Sequence, residues 1–74
     1  MTVAELITKL QEMPRDARVV IDGYEGGLED VSSVSIIPVV LNKNGPRPDY
    51  YGLHEEWEPY MDQEPDESAV YIPR

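Results

Sequence analysis

Residues 23–30 read GYEGGLED, a stretch that sets three glycines around a tyrosine and a glutamate. It lies between residues 18–22 (RVVID), whose centre is rich in β-branched side chains, and residues 33–41 (SVSIIPVVL), where apolar and polar side chains first alternate. Glycine adopts positive φ without a steric penalty, so this stretch is suited to reversing the chain. We predict a hairpin in which the glycine loop joins strands 18–22 and 33–41.

Residues 2–13 predict a helix that precedes this hairpin. Thr2 and Glu5 have the spacing of a capping box, in which each side chain accepts a hydrogen bond from the other residue's backbone. Pro14 disfavours helical geometry at Met13 and so predicts the end of the helix. One apolar stripe at helical spacing is formed by Val3, Leu6, Ile7 and Leu10.

A third strand is predicted at residues 69–72, after a long acidic and aromatic loop region at residues 42–68. Pro38 lacks a ladder donor, so we expect strand 33–41 to lie at a sheet edge or to bulge there. The predicted fold is a single α+β domain over residues 1–74, with one N-terminal helix packed on a small, mainly antiparallel three-stranded sheet. A homodimer or the folded-back acidic segment would bury the second face of that sheet.

Length and composition limit the classes of protein that this chain can belong to. With 74 residues and no cysteine, it has neither a disulfide framework nor thiolate ligands for zinc. No stretch approaches the roughly 18 apolar residues of a membrane span, and the N-terminus lacks the pattern of a signal peptide. We expect a cytoplasmic protein that does not associate with membranes.

The net charge of −9 is concentrated in one segment. Residues 49–67 hold eight acidic residues and no Lys or Arg, whereas the rest of the chain holds seven acidic and six basic residues. A field of this sign repels nucleic acid and attracts basic proteins. Solubility alone would also explain such a segment, and this alternative stays open.

The glycine loop has three functional alternatives besides a plain turn. A phosphate cradle requires a following helix or a lysine, and here acidic residues and a strand follow instead. A calcium loop requires oxygen ligands at regular alternate positions, and the acidic residues near the glycines lack that spacing. A recognition loop is the third alternative, because a turn has no need of the exposed pair Tyr24 and Glu25.

The second stretch of interest is residues 49–61, DYYGLHEEWEPYM, which holds four of the chain's six aromatic residues. His54 is the only histidine, and no second histidine or cysteine could complete a zinc shell. No nucleophile elbow surrounds any serine, so we expect no catalytic residue, no metal site and no cofactor. The aromatic side chains either fold over the sheet as core or stand exposed as anchors among acidic residues.

The chain resembles a family of small bacterial and phage-type proteins without an assigned activity. That family shares a V-x-E-L-I-x-x-L helix, a P-x-D-A turn, an apolar strand and a G-Y-E-G-G loop, which match residues 3–27 here. Its later part has a tyrosine-rich G-x-H-E stretch and a closing strand ending in P-R, matched by residues 50–55 and 69–74. The resemblance implies an architecture and an accessory role, such as modulating a larger enzyme.

These patterns together predict a small acidic, non-enzymatic interaction protein that binds a basic protein partner and does not bind nucleic acid directly. The alternative is a small-molecule or ion-binding module in which the GYEGG and YYGLHE stretches converge on one pocket. The predicted binding residues are Tyr24, Glu25, Tyr50, Tyr51, His54, Glu55 and Trp57.

Overall fold

The computed structural model describes residues 1–46 and 51–74. These ranges contain one helix and five short strands, all paired antiparallel, which confirms the α+β class. The elements are α1 (Val3–Leu10), β1 (Val20–Asp22), β2 (Leu28–Asp30), β3 (Ser35–Val40), β4 (Glu55–Glu56) and β5 (Glu67–Tyr71).

The chain forms two compact units. The first unit comprises Met1–Val34 together with Ile72–Arg74, and the second comprises Ser35–Tyr71. Helix α1 and the hairpin β1–β2 belong to the first unit, and the three remaining strands belong to the second. The prediction that the helix packs on a three-stranded sheet within one domain stays a prediction, and each unit is described by itself.

Helix α1 begins as the sequence predicts and ends earlier. The Glu5 N–H donates to Thr2 Oγ1 at 3.2 Å, and the Thr2 N–H donates to Glu5 Oε1 at 2.8 Å, which completes the capping box. The predicted end at Met13 was wrong, because the helix ends at Leu10. The Glu12 and Met13 N–H groups bond to carbonyls three residues back, a tighter turn that closes the helix before Pro14.

The apolar stripe of α1 is largely open to solvent. Val3, Ile7 and Leu10 are 54%, 50% and 48% exposed, and Leu6 is half-buried. No described residue of the first unit is buried. Local hydrogen bonding therefore defines this unit more than apolar burial does.

The glycine loop makes a hairpin, but with a different partner from the predicted one. Strand β1 pairs with β2, so that Val20 lies opposite Asp30 and Asp22 opposite Leu28. The prediction that the loop joins residues 18–22 to residues 33–41 was wrong. Three glycines in five residues reverse the chain at once, so the nearest segment becomes the partner despite its acidic residues.

The second unit is a three-stranded sheet in the order β4-β3-β5. Strand β3 therefore has neighbours on both sides, and its Val39 and Val40 are the buried apolar residues of the described part of the chain. Residues 18–22 are absent from this sheet, contrary to prediction. Their place is taken by β4, which lies inside the region predicted as loop.

Pro38 lies within the central strand, so the prediction of an edge or a bulge was wrong. It faces Ser68 of β5, and its carbonyl accepts a hydrogen bond from the Trp57 N–H at 2.9 Å. The N and O of one strand residue point to the same side, so the missing donor of Pro38 faces the β4 side. There β4 has already ended at Glu56, and the sheet tolerates the proline.

Candidate interaction surface

The glycine loop of the first unit is a strained turn that projects one aromatic side chain. The Gly23 N–H donates to the Gly27 carbonyl at 3.0 Å, and a Cβ on Gly23 would lie 2.5 Å from the Gly26 carbonyl oxygen. Glu25 adopts φ 65°, in the left-handed region. A non-glycine residue there costs about 1 kcal/mol. Tyr24 is 74% exposed at the tip.

Tyr24 already has a cationic neighbour within the first unit. The Arg74 guanidinium carbon lies 5.1 Å from the centre of the Tyr24 ring, which is within the range of a cation–π contact. Tyr24 and Arg74 are remote in sequence, so no local pattern could have indicated this pair. The contact demonstrates that an exposed tyrosine of this chain accommodates an arginine.

In the second unit, His54 is a structural residue of the turn between β3 and β4. Its Nδ1 accepts a hydrogen bond from the Asn42 N–H at 2.9 Å, which requires an unprotonated Nδ1. Asn42 has φ 57°, a conformation that asparagine tolerates better than most residues. The imidazole therefore supports the backbone of a turn through its Nδ1.

Glu55 is held by the same turn. Asn44 donates its side-chain N–H groups to Glu55 Oε1 at 2.7 Å and to the Gly52 carbonyl at 3.1 Å, and its backbone N–H donates to the Leu53 carbonyl. Glu55 is half-buried, so these bonds fix the position of its carboxylate. Asn44 thus positions Glu55, which is one of the predicted binding residues.

Trp57 anchors the acidic loop between β4 and β5. Its indole Nε1–H donates to the Gln63 carbonyl at 2.6 Å, and it is half-buried. The far end of the loop is held by Asp66, whose N–H donates to the Val39 carbonyl and whose carboxylate accepts from the Leu41 N–H at 2.7 Å. Trp57 is therefore a residue that orders this loop, and it does not stand fully exposed as an anchor.

A groove of about 570 Å³ lies on the second unit, and it combines predicted with unpredicted residues. Two of the predicted residues, Tyr51 and Glu55, line it. We call it the acidic groove. Its described lining residues are Lys43, Asn44, Tyr51, Glu55, Tyr60, Met61, Asp62 and Gln63.

The acidic groove carries two exposed phenol rings beside carboxylates. Tyr60 is 81% exposed and Tyr51 is 48% exposed. Asp62 makes no hydrogen bond or ion pair with the described residues, and Lys43 is the one base among the described residues that line the groove. A second cavity, of about 350 Å³, shares Met61, Asp62 and Gln63 with the groove and also touches Trp57.

The predicted binding residues belong to both units. Tyr24 and Glu25 lie in the first unit, and Tyr50 lies outside the described residues. Of the rest, Tyr51 and Glu55 share the acidic groove, whereas His54 and Trp57 support its framework. Tyr60 and Asp62 were missed as site residues, although their place in an aromatic and acidic run is a visible signal.

The described residues offer carboxylates and tyrosine rings. No group of three or more His, Asp or Glu side chains within residues 1–46 and 51–74 is arranged to hold a metal ion. No helix in those ranges is both long and apolar enough to cross a bilayer. Carboxylates next to tyrosine rings are suited to receive guanidinium or ammonium groups.

Comparison with known proteins gives no match: no protein-family model, no curated protein and no solved structure matches this chain.

Proposed function

We propose that this chain is a small acidic, non-enzymatic interaction protein whose acidic groove binds an arginine- or lysine-bearing surface of a partner protein. The observation that carries the proposal is the juxtaposition of Asp62 with two exposed tyrosines, Tyr51 and Tyr60, in the acidic groove. The hydrogen bonds of His54, Asn44 and Trp57 hold the framework of this groove, so it is ordered before a partner arrives.

The charge of the second unit supports a basic partner. Between residues 51 and 67 the chain has seven acidic residues and no base. The one ion pair among the described residues joins Arg18 and Asp30, at 2.7 Å, in the first unit. The carboxylates near the groove therefore keep a field that steers cations toward it and is screened by salt over about 10 Å at 0.1 M.

Each lining residue has a distinct part in this proposal. Asp62 pairs with an incoming guanidinium, because Glu55 already accepts a hydrogen bond from Asn44. Tyr51 and Tyr60 supply ring faces on which the planar guanidinium stacks, as Arg74 does on Tyr24 in this chain. The ring faces favour arginine over lysine, since the guanidinium both stacks and forms two parallel hydrogen bonds.

Tyr24 and Glu25 of the first unit form a second contact patch for the partner. The family resemblance adds a bacterial or phage accessory role in the cytoplasm, in which the partner is a larger basic enzyme. Repulsion between the acidic segment and phosphates excludes direct binding to nucleic acid.

The test is a titration of a fluorescently labelled arginine-rich peptide, followed by anisotropy at low and high salt. Asp62→Asn and Asp16→Asn remove the same charge, one from the acidic groove and one from an exposed turn of the first unit. We expect Asp62→Asn to weaken binding about tenfold, which corresponds to 1.4 kcal/mol, and Asp16→Asn to change it less than about twofold. If both variants lost the same binding affinity, net charge alone would explain the attraction, and a site specific to the acidic groove would be refuted.

The size of the groove favours a second candidate, a small cationic ligand. Its volume of about 570 Å³ falls in the range of small-molecule sites, which is roughly 300–1,000 Å³. A thermal-shift screen of free arginine, agmatine and polyamines tests this candidate. Stabilisation by a free amine that persists in high salt favours the small ligand, whereas stabilisation by the peptide alone favours the protein partner.

A further inference from the structure

The outer side of β5 is an open strand edge on the second unit. Among the described residues β5 pairs with β3 alone, and β3 lies between β4 and β5. β5 contributes none of the described residues that line the acidic groove. An unpaired strand presents a row of free N–H and C=O groups, and another extended chain can join the sheet there by hydrogen bonding to them.

The hydrogen bonds of Pro38 identify the groups that β5 presents on its outer side. The Pro38 carbonyl accepts from the Trp57 N–H and so points toward β4, which makes Pro38 and Ser68 a non-hydrogen-bonded pair. Because the two kinds of pair alternate along an antiparallel ladder, Ile36 and Val70 form a second such pair. The N–H and C=O groups of Ser68 and Val70 thus point away from β3, and no described backbone group bonds to them. We call these groups the β5 edge.

The two faces of the sheet beside the β5 edge differ in chemistry. Glu67 lies opposite Val39, which in turn lies opposite Glu56, so the two carboxylates share one face of the sheet. Both glutamates are exposed, and β3, β4 and β5 contain no Lys or Arg. The other face carries the direct pair Ile36 and Val70, which are 71% and 45% exposed. One face is therefore acidic at this edge, and the other is apolar.

The charge of the chain disfavours a second copy at the β5 edge. Each copy carries −9, and residues 51–67, which end at the first residue of β5, hold seven acidic residues and no base. Two copies joined at β5 would bring these segments together, because neighbouring strands lie only about 4.8 Å apart. Charged residues on an edge strand commonly prevent such pairing between like chains. A basic strand is instead attracted to the same position.

We propose that the β5 edge binds an extended segment of a partner protein by strand addition, and that this segment has one basic face and one apolar face. The incoming strand runs antiparallel to β5, since antiparallel pairing is the more stable arrangement. Ser68 and Val70 each exchange an N–H and a C=O hydrogen bond with its backbone. Its basic side chains lie on the face of Glu67 and Glu56, and its apolar side chains cover Val70.

The test is hydrogen exchange of the Asp62→Asn chain with and without a blocked five-residue peptide of alternating arginine and valine. Asp62→Asn weakens binding at the acidic groove, so a failure of that site and a failure of the β5 edge are distinguishable. We expect the peptide to slow exchange at the Ser68 and Val70 amides. The Ala69 amide, which points toward β3, should stay unchanged. Binding that leaves the Ser68 and Val70 amides unprotected overturns the proposal.

Two methylated peptides separate strand addition from attraction by charge. Methyl groups on the backbone nitrogens of both valines remove the donors that face β5, whereas methyl groups on the nitrogens of two arginines remove donors that point away from it. The two peptides have the same composition and charge. We expect methylation of the valines to weaken binding by at least about tenfold and methylation of the arginines by less than about threefold. Equal weakening overturns the proposal.

A pair of variants makes the same comparison on the chain itself. Val70→Pro removes one outward N–H and retains the bonds between β5 and β3, whereas Val70→Thr keeps that N–H and the β-branched shape. We expect Val70→Pro to weaken binding by at least about fivefold and Val70→Thr by less than about threefold. If Val70→Pro does not fold, the methylated peptides decide the question.

The free chain provides the control for a second copy as the occupant. We expect exchange at the Ser68 and Val70 amides to be independent of protein concentration when no peptide is present. Protection of these two amides that rises with protein concentration would assign the β5 edge to pairing between copies and overturn the proposal.

Discussion

The two units of this molecule are stabilised in different ways. In the first unit the described hydrogen bonds span at most 12 residues, the separation of Arg18 and Asp30. They include a capping box and a hairpin closed by a glycine turn. In the second unit the bond between the Leu41 N–H and Asp66 spans 25 residues, and Val39 and Val40 are buried. The first unit thus has regular local structure with an open apolar face, and the second has a small core with irregular connections.

This difference shows that a segment can have a clear sequence signal for its local structure without burying its apolar side chains. A capping box stabilises a helix end by satisfying free N–H groups, and it does so without burying any side chain. A central strand instead gains from neighbours on both sides, even when it contains a proline. We therefore expect core substitutions to act on the second unit and turn substitutions to act on the first.

The largest effect is expected from Val40→Ala. Val40 is 2% exposed, and deleting two buried methyl groups lowers the free energy of unfolding by about 2 to 3 kcal/mol through lost transfer energy and a residual cavity. The matched control is Val34→Ala, at a side chain that is 65% exposed, with an expected loss below about 0.5 kcal/mol. Urea denaturation measures the free energy of unfolding of both variants. Equal losses of stability would contradict the view that the two units are stabilised in different ways.

A smaller and more local effect is expected from Gly23→Ala. The added Cβ would lie 2.5 Å from the Gly26 carbonyl oxygen, so the turn must shift, at a cost of about 1 to 2 kcal/mol. Gly52→Ala is the control, because its Cβ would have no neighbour closer than 3.9 Å. Hydrogen exchange should show faster exchange at β1 and β2 alone. Equal acceleration in β3 and β5 would mean that the two units unfold together.

Removing the long-range hydrogen bond in Asp66→Ala should cost about 1 kcal/mol, because the bond has a charged acceptor but is exposed to solvent. Asp62→Ala removes the same charge without a described hydrogen bond and should be neutral within about 0.5 kcal/mol. Thermal unfolding of the two variants provides the comparison. A larger loss for Asp62→Ala would contradict the assignment of Asp66 as the residue that holds the acidic loop.

The smallest effect concerns pH and the helix cap. Hydrogen bonds from Thr2, first from its backbone and then from its side chain, lower the pKa of Glu5 below its usual value of 4.5. Because the folded pKa is lower than the unfolded one, the cap contributes fully above pH 4.5 and is lost as pH falls through the folded pKa. Amide exchange at the start of α1 should thus accelerate in acid. Glu5→Gln keeps the hydrogen bond without the charge, so an unchanged acid response in this variant would assign the response to other groups.

The sequence predicted the structure correctly where neighbouring residues determine it. Thr2, Glu5 and the apolar spacing located the helix, and the glycines located a reversal of the chain at residues 23–27. The partner strand could not be inferred, since Glu29 and Asp30 have low β-propensity and pair because the turn places them opposite β1. The prediction drawn from Pro38 was wrong for a related reason. Whether the sheet can accommodate a proline at that position depends on where β4 ends, and the local sequence does not specify that end.

The residue types of the candidate site could be predicted from the sequence, but which of these residues lie together could not. The run of tyrosines and acidic residues after residue 49 indicated a binding region, and Tyr51 and Glu55 do line a groove. Side chains in such a run serve either as framework or as contact residues, and only tertiary hydrogen bonds separate the two. Trp57 and His54 are framework residues because of bonds to Gln63 and Asn42, which no local pattern specifies.

The most direct test of the proposed function is an NMR titration of the isotopically labelled chain with an arginine-rich peptide, recorded in low salt. We predict the largest amide shifts at Tyr51, Tyr60 and Asp62, with none at Thr8 on the helix. We also predict that these shifts disappear in Asp62→Asn and persist in Asp16→Asn. Shifts spread evenly over all acidic residues, or confined to α1, would contradict the acidic groove as the binding site.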